Sequence, residues 1–439
     1  MNSARLLTPA EAEPAQRRVA GALAARGLRA GDRVAFLLPS SPELLVAFLG
    51  ALRSGVVAVP LNPALVEEER AALLADAEPG LVVDDAAGLA ELLGGPEAEL
   101  APVPLSRPMH YTSGTTGRPK GVWSGVLSEA DGAALLGEEA AIWGFGPDDV
   151  HLVCSPLHHS VAIRFGAGTL LAGGSVVVLP RFDARAAAAA IAEYRPTTAF
   201  MVPAHLQRLF AAGDLPDLSS LRLLVHAGAP CPPPLKERAI AAFPAGAVWE
   251  FYGSTEGQFT VCSTDEWLDH PGSVGRARPG RALSVDDDGV IWCAVPDYAR
   301  FEYWRDPDKT AAAWRGDAFT VGDLGRLDGD GYLYLDGRRD DLVISGGVNV
   351  YPAEVERVLS ELGGVREVAV FGVEDERWGQ RVCAAVVGEV TADEVLAHAR
   401  AHLAGYKVPK EVHVVDELPH TSTGKLRRRA VASQLGLEG

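Results

Sequence analysis

Residues 111–121 read YTSGTTGRPKG: three glycines, five hydroxyl side chains and one lysine in eleven positions. Gly114, Gly117 and Gly121 let the backbone turn its N–H groups toward one point. Thr112, Ser113, Thr115 and Thr116 add hydroxyl donors, and Lys120 adds a positive charge with no acid inside the stretch. The set suits a polyphosphate. A flexible surface loop rich in glycine and threonine has the same composition, so the stretch by itself leaves both readings open. It is not a Walker A loop, which places Gly directly before its Lys and Ser or Thr directly after, because Pro119 and Gly121 flank Lys120 here.

The surrounding chain is globular in composition. Its 439 residues are 48% hydrophobic and 22% charged, which is enough for two or three domains with full cores. A formal net charge of −18 disfavours a nucleic-acid partner, which needs a basic face, and leaves small anions held by a local positive cluster. Cys154, Cys231, Cys262, Cys293 and Cys383 lie far apart, with no C-x-x-C pair, so neither a zinc site nor a disulfide framework is expected and a reducing cytoplasm is. The opening residues scatter Arg and Glu and do not read as a signal peptide. The uncharged stretch 165–180, FGAGTLLAGGSVVVLP, is shorter than the roughly 20 residues of a membrane span. A soluble, cytoplasmic protein is the expectation.

Strand and helix signals alternate outward from the opening stretch. DRVAFLLPSS, PELLVAFLGALRSG and VVAVPLNP (32–63) read as strand, helix and strand, and the same rhythm returns between 149 and 230. That is βαβ organisation with a parallel sheet. From about residue 272 short strands separated by Gly and Asp predict antiparallel structure. After Asp340 a compact α+β pattern begins, with helices over YPAEVERVLSEL and TADEVLAHARAHL, the latter opened by a Thr cap.

The stretch YTSGTTGRPKG resembles the phosphate-binding loop of the adenylate-forming superfamily, which contains acyl-CoA synthetases, peptide-synthetase adenylation domains and beetle luciferases. Further motifs follow in the family's order. SPLHHSVA (155–162) resembles the segment whose second histidine, His159, borders the acyl pocket, and the resemblance also gives that pocket Val202, Gly228 and Gly253. HAGAP (226–230) resembles the adenine-contacting turn, through Gly228, Ala229 and Pro230. FYGSTEG (251–257) resembles the segment in which Tyr252 stacks on adenine within an ATP-binding turn that includes Gly253 and Ser254. There Thr255 contacts phosphate and Glu256 holds magnesium. Residues 321–356 resemble the ribose-and-hinge segment, with Asp323 and Arg338 on the ribose hydroxyls, Asp340 as hinge, and Gly346 and Gly347 along the coenzyme A channel. LPHTSTGKLRRR (418–429) resembles the motif of the catalytic lysine, here Lys425.

The resemblance implies an α/β chain. A large N-terminal ATP- and acid-binding domain, 1–339, is built of parallel-rich βαβ sheets plus a small antiparallel β subdomain, and a small mobile α+β domain, 340–439, carries Lys425. It implies ATP-dependent conversion of a carboxylic acid to an acyl-adenylate, release of pyrophosphate, and transfer to the thiol of coenzyme A, with Mg2+ required. Bringing two anions together in line calls for preorganised positive charge; Lys425, Lys120 and magnesium on Glu256, with Thr255 beside them, are the expected sources. Outside the motifs, Lys425 reads equally as a solvated residue beside Arg427, Arg428 and Arg429, Asp323 and Arg338 as a structural ion pair, and His159 as a core histidine.

Ile344 stands where luciferases carry a lysine, so light-producing oxidation is not expected; PAHL (203–206) offers no Asp for an α-amino group, so a non-amino acid is. A carrier-protein thiol or an amine is the alternative acceptor. Retention of Glu256 and Lys425 disfavours a non-catalytic nucleotide-binding relative. The chain is shorter than the family norm before residue 31, between 85 and 111, and around 281–304. The oligomeric state and the identity of the acid, for which a small or aromatic one fits the shortened chain, stay open.

Overall fold

The computed structural model describes residues 4–112, 120–213, 215–338, 341–345, 348–375, 378–420 and 426–437. Strand β1 (Arg5–Leu7) leads into the helix Pro9–Ala25, whose entry is fixed reciprocally: Thr8 Oγ1 accepts from Glu11 N, and Glu11 accepts from Thr8 N. The expected βαβ unit follows as β2 (Arg33–Phe36), the helix Pro42–Arg53 and β3 (Val57–Pro60), with β4 (Leu81–Val83) completing a parallel sheet in the order β3-β2-β4. Pro42–Arg53 is apolar except for Glu43 and Arg53 at its ends because it is buried on nearly every side, placing Leu45 and Phe48 in a core with Phe36 and the helix Ser160–Leu171.

Strands β5 (His110–Thr112) and β6 (Lys120–Trp123) pair as an antiparallel hairpin, and the short strand Glu302–Tyr303 adds to the outer edge of β6. The central sheet contains β7 (Val150–Val153), β8 (Ser175–Val178), β9 (Thr198–Met201), β10 (Leu223–His226) and β11 (Val248–Glu250) in the order β1-β8-β7-β9-β10-β11. All its pairings are parallel except that of β1 with β8. Near-continuous runs such as SVVV and LLVH are what strands covered on both faces require. β1 has no alternating pattern and was not legible in the sequence; it is an edge strand. From β7 the chain steps to β8 on one side and then to β9 on the other, so the connection reverses at β7/β9. Open α/β sheets bind ligands in the crevice outside the carboxyl ends at such a switch point.

The expected antiparallel region is present as a four-stranded sheet of Ala282–Val285, Ile291–Ala294, Ala318–Phe319 and Trp314–Arg315, and as the ladder Asp323–Leu327 with Leu333–Arg338. The last third holds a five-stranded sheet around Val365–Asp375 and Gly379–Gly388. One face, with Val370, Val382, Ala384 and Val386, takes the helices Pro352–Ser360 and Ala392–His402. The other, with Ala369, Phe371, Cys383 and Ala385, takes Arg428–Gln434. Arg428 is therefore not a solvated tail residue. It donates to both carboxylate oxygens of Glu356, at 2.8 and 2.9 Å, and pairs with Asp341. All five cysteines are free. No helix among the described residues is long and apolar enough to cross a membrane.

Candidate active site

His159 lies in the loop and helix start that follow β7, and Val202, Gly228 and the segment beginning at Phe251 lie just past β9, β10 and β11; these are four neighbouring strands, so motifs up to a hundred residues apart meet along one edge of the sheet. His159 caps the helix Ser160–Leu171, and its ring lies 4.3 Å from that of His158. Gly228 has φ +89°, a conformation that a β-carbon strains, and turns the chain out to Ala229 and Pro230 at the crevice mouth. After β11 the chain folds back on itself: Phe259 N donates to Tyr252 O at 2.9 Å and Ser254 N to Gly257 O at 2.8 Å. A β-carbon on Gly253 would lie 2.8 Å from Gly257 O, so this turn requires glycine there. Thr255 and Glu256 form its tip.

Glu256 is buried, and its Oε1 accepts a 2.9 Å hydrogen bond from the hydroxyl of Tyr303. Burial and the neighbouring Glu256 carboxylate hold the Tyr303 phenol well above its ordinary range. Tyr303 lies on the strand paired with β6, so the hairpin that flanks residues 113–119 also orients Glu256. Lys120 has no acid near it in sequence, but its Nζ donates to Asp306 Oδ2 at 2.7 Å, and Asp306 also caps the helix Pro307–Ala313. Asp306 thus gives the lysine a local counter-charge. Its backbone pairs with Thr112, closing the hairpin where residues 113–119 begin and end.

Asp323 and Arg338 are register partners in the antiparallel ladder. Tyr252 has a second task beyond the expected stacking. Its hydroxyl donates to Asp323 Oδ2 at 2.6 Å, and its ring packs 4.9 Å from Phe259. Ser113, Gly114, Thr115, Thr116, Gly117, Asp340, Gly346, Gly347 and Lys425 lie outside the described residues. Ile344 is described and exposed.

Tyr303 and Asp306 were missed by sequence reasoning, as was a buried triad beneath the Gly228 turn. Lys236 Nζ lies 2.6 Å from His226 Nε2 and 3.0 Å from Glu250 Oε2, tying the carboxyl ends of β10 and β11 together. Burial, then the Lys236 charge, keeps His226 neutral, well below the usual histidine range. No local pattern signals this triad, because its members come from three separate elements.

Behind the Ser254–Gln258 turn lies a cavity of about 200 Å³, walled by the helices Glu129–Trp143 and Ser160–Leu171 and by residues 104–110. None of the four expected pocket residues, His159, Val202, Gly228 and Gly253, lines it. Val202 instead packs against an aromatic cluster that includes Trp143, Phe165, Phe200 and Phe251. Among the described residues no group of three or more His, Cys, Asp or Glu is arranged to hold a metal by itself. Magnesium, however, is commonly held by one or two carboxylates plus substrate phosphates. The buried Glu256, with Tyr303 occupying only one of its oxygens, fits that donor set.

Known proteins resemble this chain along nearly its whole length. The family described as AMP-binding enzyme matches residues 2–105 and 108–293, and the AMP-binding enzyme C-terminal domain matches 354–425. A feruloyl-CoA synthase of Amycolatopsis sp is 37% identical, over 98% of this chain and 94% of the relative. Crystalline ATP-bound MatB from Rhodopseudomonas palustris superposes with a TM-score of 0.85 at 33% identity, covering 97% of this chain and 93% of that one. The o-succinylbenzoate CoA synthetase MenE from Bacillus subtilis, in complex with ATP and magnesium, gives 0.83 at 30% identity, covering 96% and 94%.

Proposed function

The chain belongs to the AMP-binding enzyme family, the adenylate-forming superfamily its motifs resemble, and from that premise we propose that it is an AMP-forming acid–CoA ligase acting on a small non-amino carboxylic acid. A carboxylate oxygen attacks the α-phosphorus of ATP and pyrophosphate leaves. The thiol of coenzyme A then attacks the acyl carbonyl carbon, loses its proton, and AMP leaves. A carboxylate is a poor electrophile, and the mixed anhydride supplies the leaving group it lacks.

The observation that carries this reading is the convergence of Gly228, the Tyr252–Glu256 turn and the Asp323/Arg338 ladder around one crevice at the carboxyl ends of neighbouring parallel strands. Asp323, oriented by Tyr252, accepts from the ribose diol. Glu256 holds magnesium, which when bound neutralises phosphate charge. Thr255 donates to phosphate at the same tip. Lys120, fixed by Asp306, anchors the exit of the 113–119 stretch. Residues 1–339 form the body of the enzyme, and 340–439 rotate about Asp340 to bring Lys425 in for adenylation and Gly346 and Gly347 in for thioester formation.

Acid-dependent ATP–pyrophosphate exchange over a panel of acids, followed by addition of coenzyme A, tests the assignment. Exchange and thioester formation are expected. Exchange without thioester would point to a carrier-protein thiol or an amine as acceptor, and no exchange with any acid would overturn the proposal.

A further inference from the structure

We propose that the cavity behind the Ser254–Gln258 turn holds the far end of the acid and that this end carries a second carboxylate, so that the preferred substrate is a small dicarboxylic acid. The inference rests on the ligase reading and narrows its substrate class. The cavity shares a wall with Thr255 and Glu256, so an acid whose reacting carboxylate lies at that turn extends into it.

Four guanidiniums line the cavity, from Arg107, Arg164, Arg278 and Arg281. They face two carboxylates of one helix, both already engaged. Glu138 accepts from Arg278 at 3.1 Å, Arg281 at 2.9 Å and the Tyr298 hydroxyl at 2.6 Å. Glu139 accepts from Arg278 and from Trp143 Nε1, each at 2.9 Å, and lies 3.3 Å from Arg164. Glu256, which lines the cavity together with Glu139, is held by Tyr303.

Positive charge is therefore left over. Among the described residues Arg107 makes no hydrogen bond or ion pair. Arg278, only 4% exposed, has a buried Nε with no partner, and so have Arg164 Nη2 and Ser254 Oγ. Burial, together with the surrounding arginines, lowers Arg107 to about 10. His110, the histidine on the wall, is held neutral by burial and adds no charge. Arg107 is half-buried on the cavity wall, and a carboxylate is the natural two-pronged partner of a guanidinium without a counter-charge. The remaining walls, including Leu135, Ile163, Val295 and Phe319, are apolar and suit connecting carbons.

Size narrows the choice further. A cavity of about 150 Å³ accommodates benzene, so about 200 Å³ admits a short or single-ring acid.

The test uses pairs matched in length: succinate with butyrate, adipate with hexanoate, and terephthalate with 4-methylbenzoate. Exchange kinetics and calorimetric binding without nucleotide are measured on the full chain. At least one diacid is expected to exceed its partner about a hundredfold in kcat/KM, and to bind. Arg107→Met orphans no carboxylate and should reduce that preference at least tenfold, through KM, while Arg107→Lys retains part of it; equal unfolding temperatures exclude misfolding. Preference for the monoacids overturns the inference and leaves the ligase reading intact. Arg107-dependent diacid binding without exchange supports the inference and sinks the ligase reading. Arg107-dependent binding of pyrophosphate, with no diacid bound, assigns the chamber to phosphate and overturns the proposal.

Discussion

Tyr303 and Glu256, 47 residues apart in sequence, meet through a 2.9 Å hydrogen bond in the buried wall of the proposed nucleotide site. The phenol fixes one carboxylate oxygen and leaves the other for a cation. Glu256→Gln keeps the shape and removes the charge, so adenylation should fall about a hundredfold, or about 3 kcal/mol, and its dependence on magnesium should flatten. Tyr303→Phe should preserve the charge and weaken apparent magnesium affinity about tenfold, or about 1.4 kcal/mol. Titrating exchange rate against magnesium checks both; an unaltered titration in the two variants would remove Glu256 from the metal.

The hydroxyl of Tyr252 holds Asp323 at 2.6 Å. Tyr252→Phe keeps the ring and removes this hold on the carboxylate. The KM for ATP should rise about three- to tenfold with kcat little changed, as expected for a bond worth about 1 kcal/mol. An equal fall in kcat at constant KM would place Asp323 in the chemical step instead of in ribose binding.

Lys425 is proposed to act only in adenylation. Lys425→Ala should lose acid-dependent pyrophosphate exchange by about a hundred- to a thousandfold, about 3–4 kcal/mol, by analogy with loss of one oxyanion donor. Supplied acyl-AMP and coenzyme A should still give thioester at near the parent rate. Joint collapse of both rates in a folded, ATP-binding variant would contradict a rotating C-terminal domain, and no change in either would leave Lys425 a solvated residue.

Three buried histidines make stability depend on pH. Burial lowers His110 and His151 to about 3 and holds His226 well below its ordinary range. Below about pH 6.5 the unfolded chain takes up protons at all three while the folded chain does not, so stability falls as pH falls, by at most about 1.4 kcal/mol per pH unit for each histidine. Urea unfolding at pH 7 and pH 5 should show the loss, and His151→Asn should make the difference between the two smaller. Equal stability at both pH values would mean that these histidines are protonated in the fold.

What the sequence determined by itself was local. The strand and helix rhythm, the Thr391 cap, the Gly228 and Gly253 turns and the order of the motifs each depend on a few consecutive residues, whose backbone preferences and hydrophobic period act over one turn or one strand. Those signals suffice for the fold class, while the proposed nucleotide-binding segments rest on the resemblance of the motifs to a known family. Only the tertiary structure decided what lies opposite them. Asp306 reaches Lys120 across 186 residues, Tyr303 reaches Glu256 from an added edge strand, and Lys236 closes on His226 and Glu250. The cavity collects arginines from positions 107, 164, 278 and 281, each unremarked among its sequence neighbours. Ion pairs and cavities depend on which side chains packing brings within a few ångströms, and no short window of sequence contains both partners.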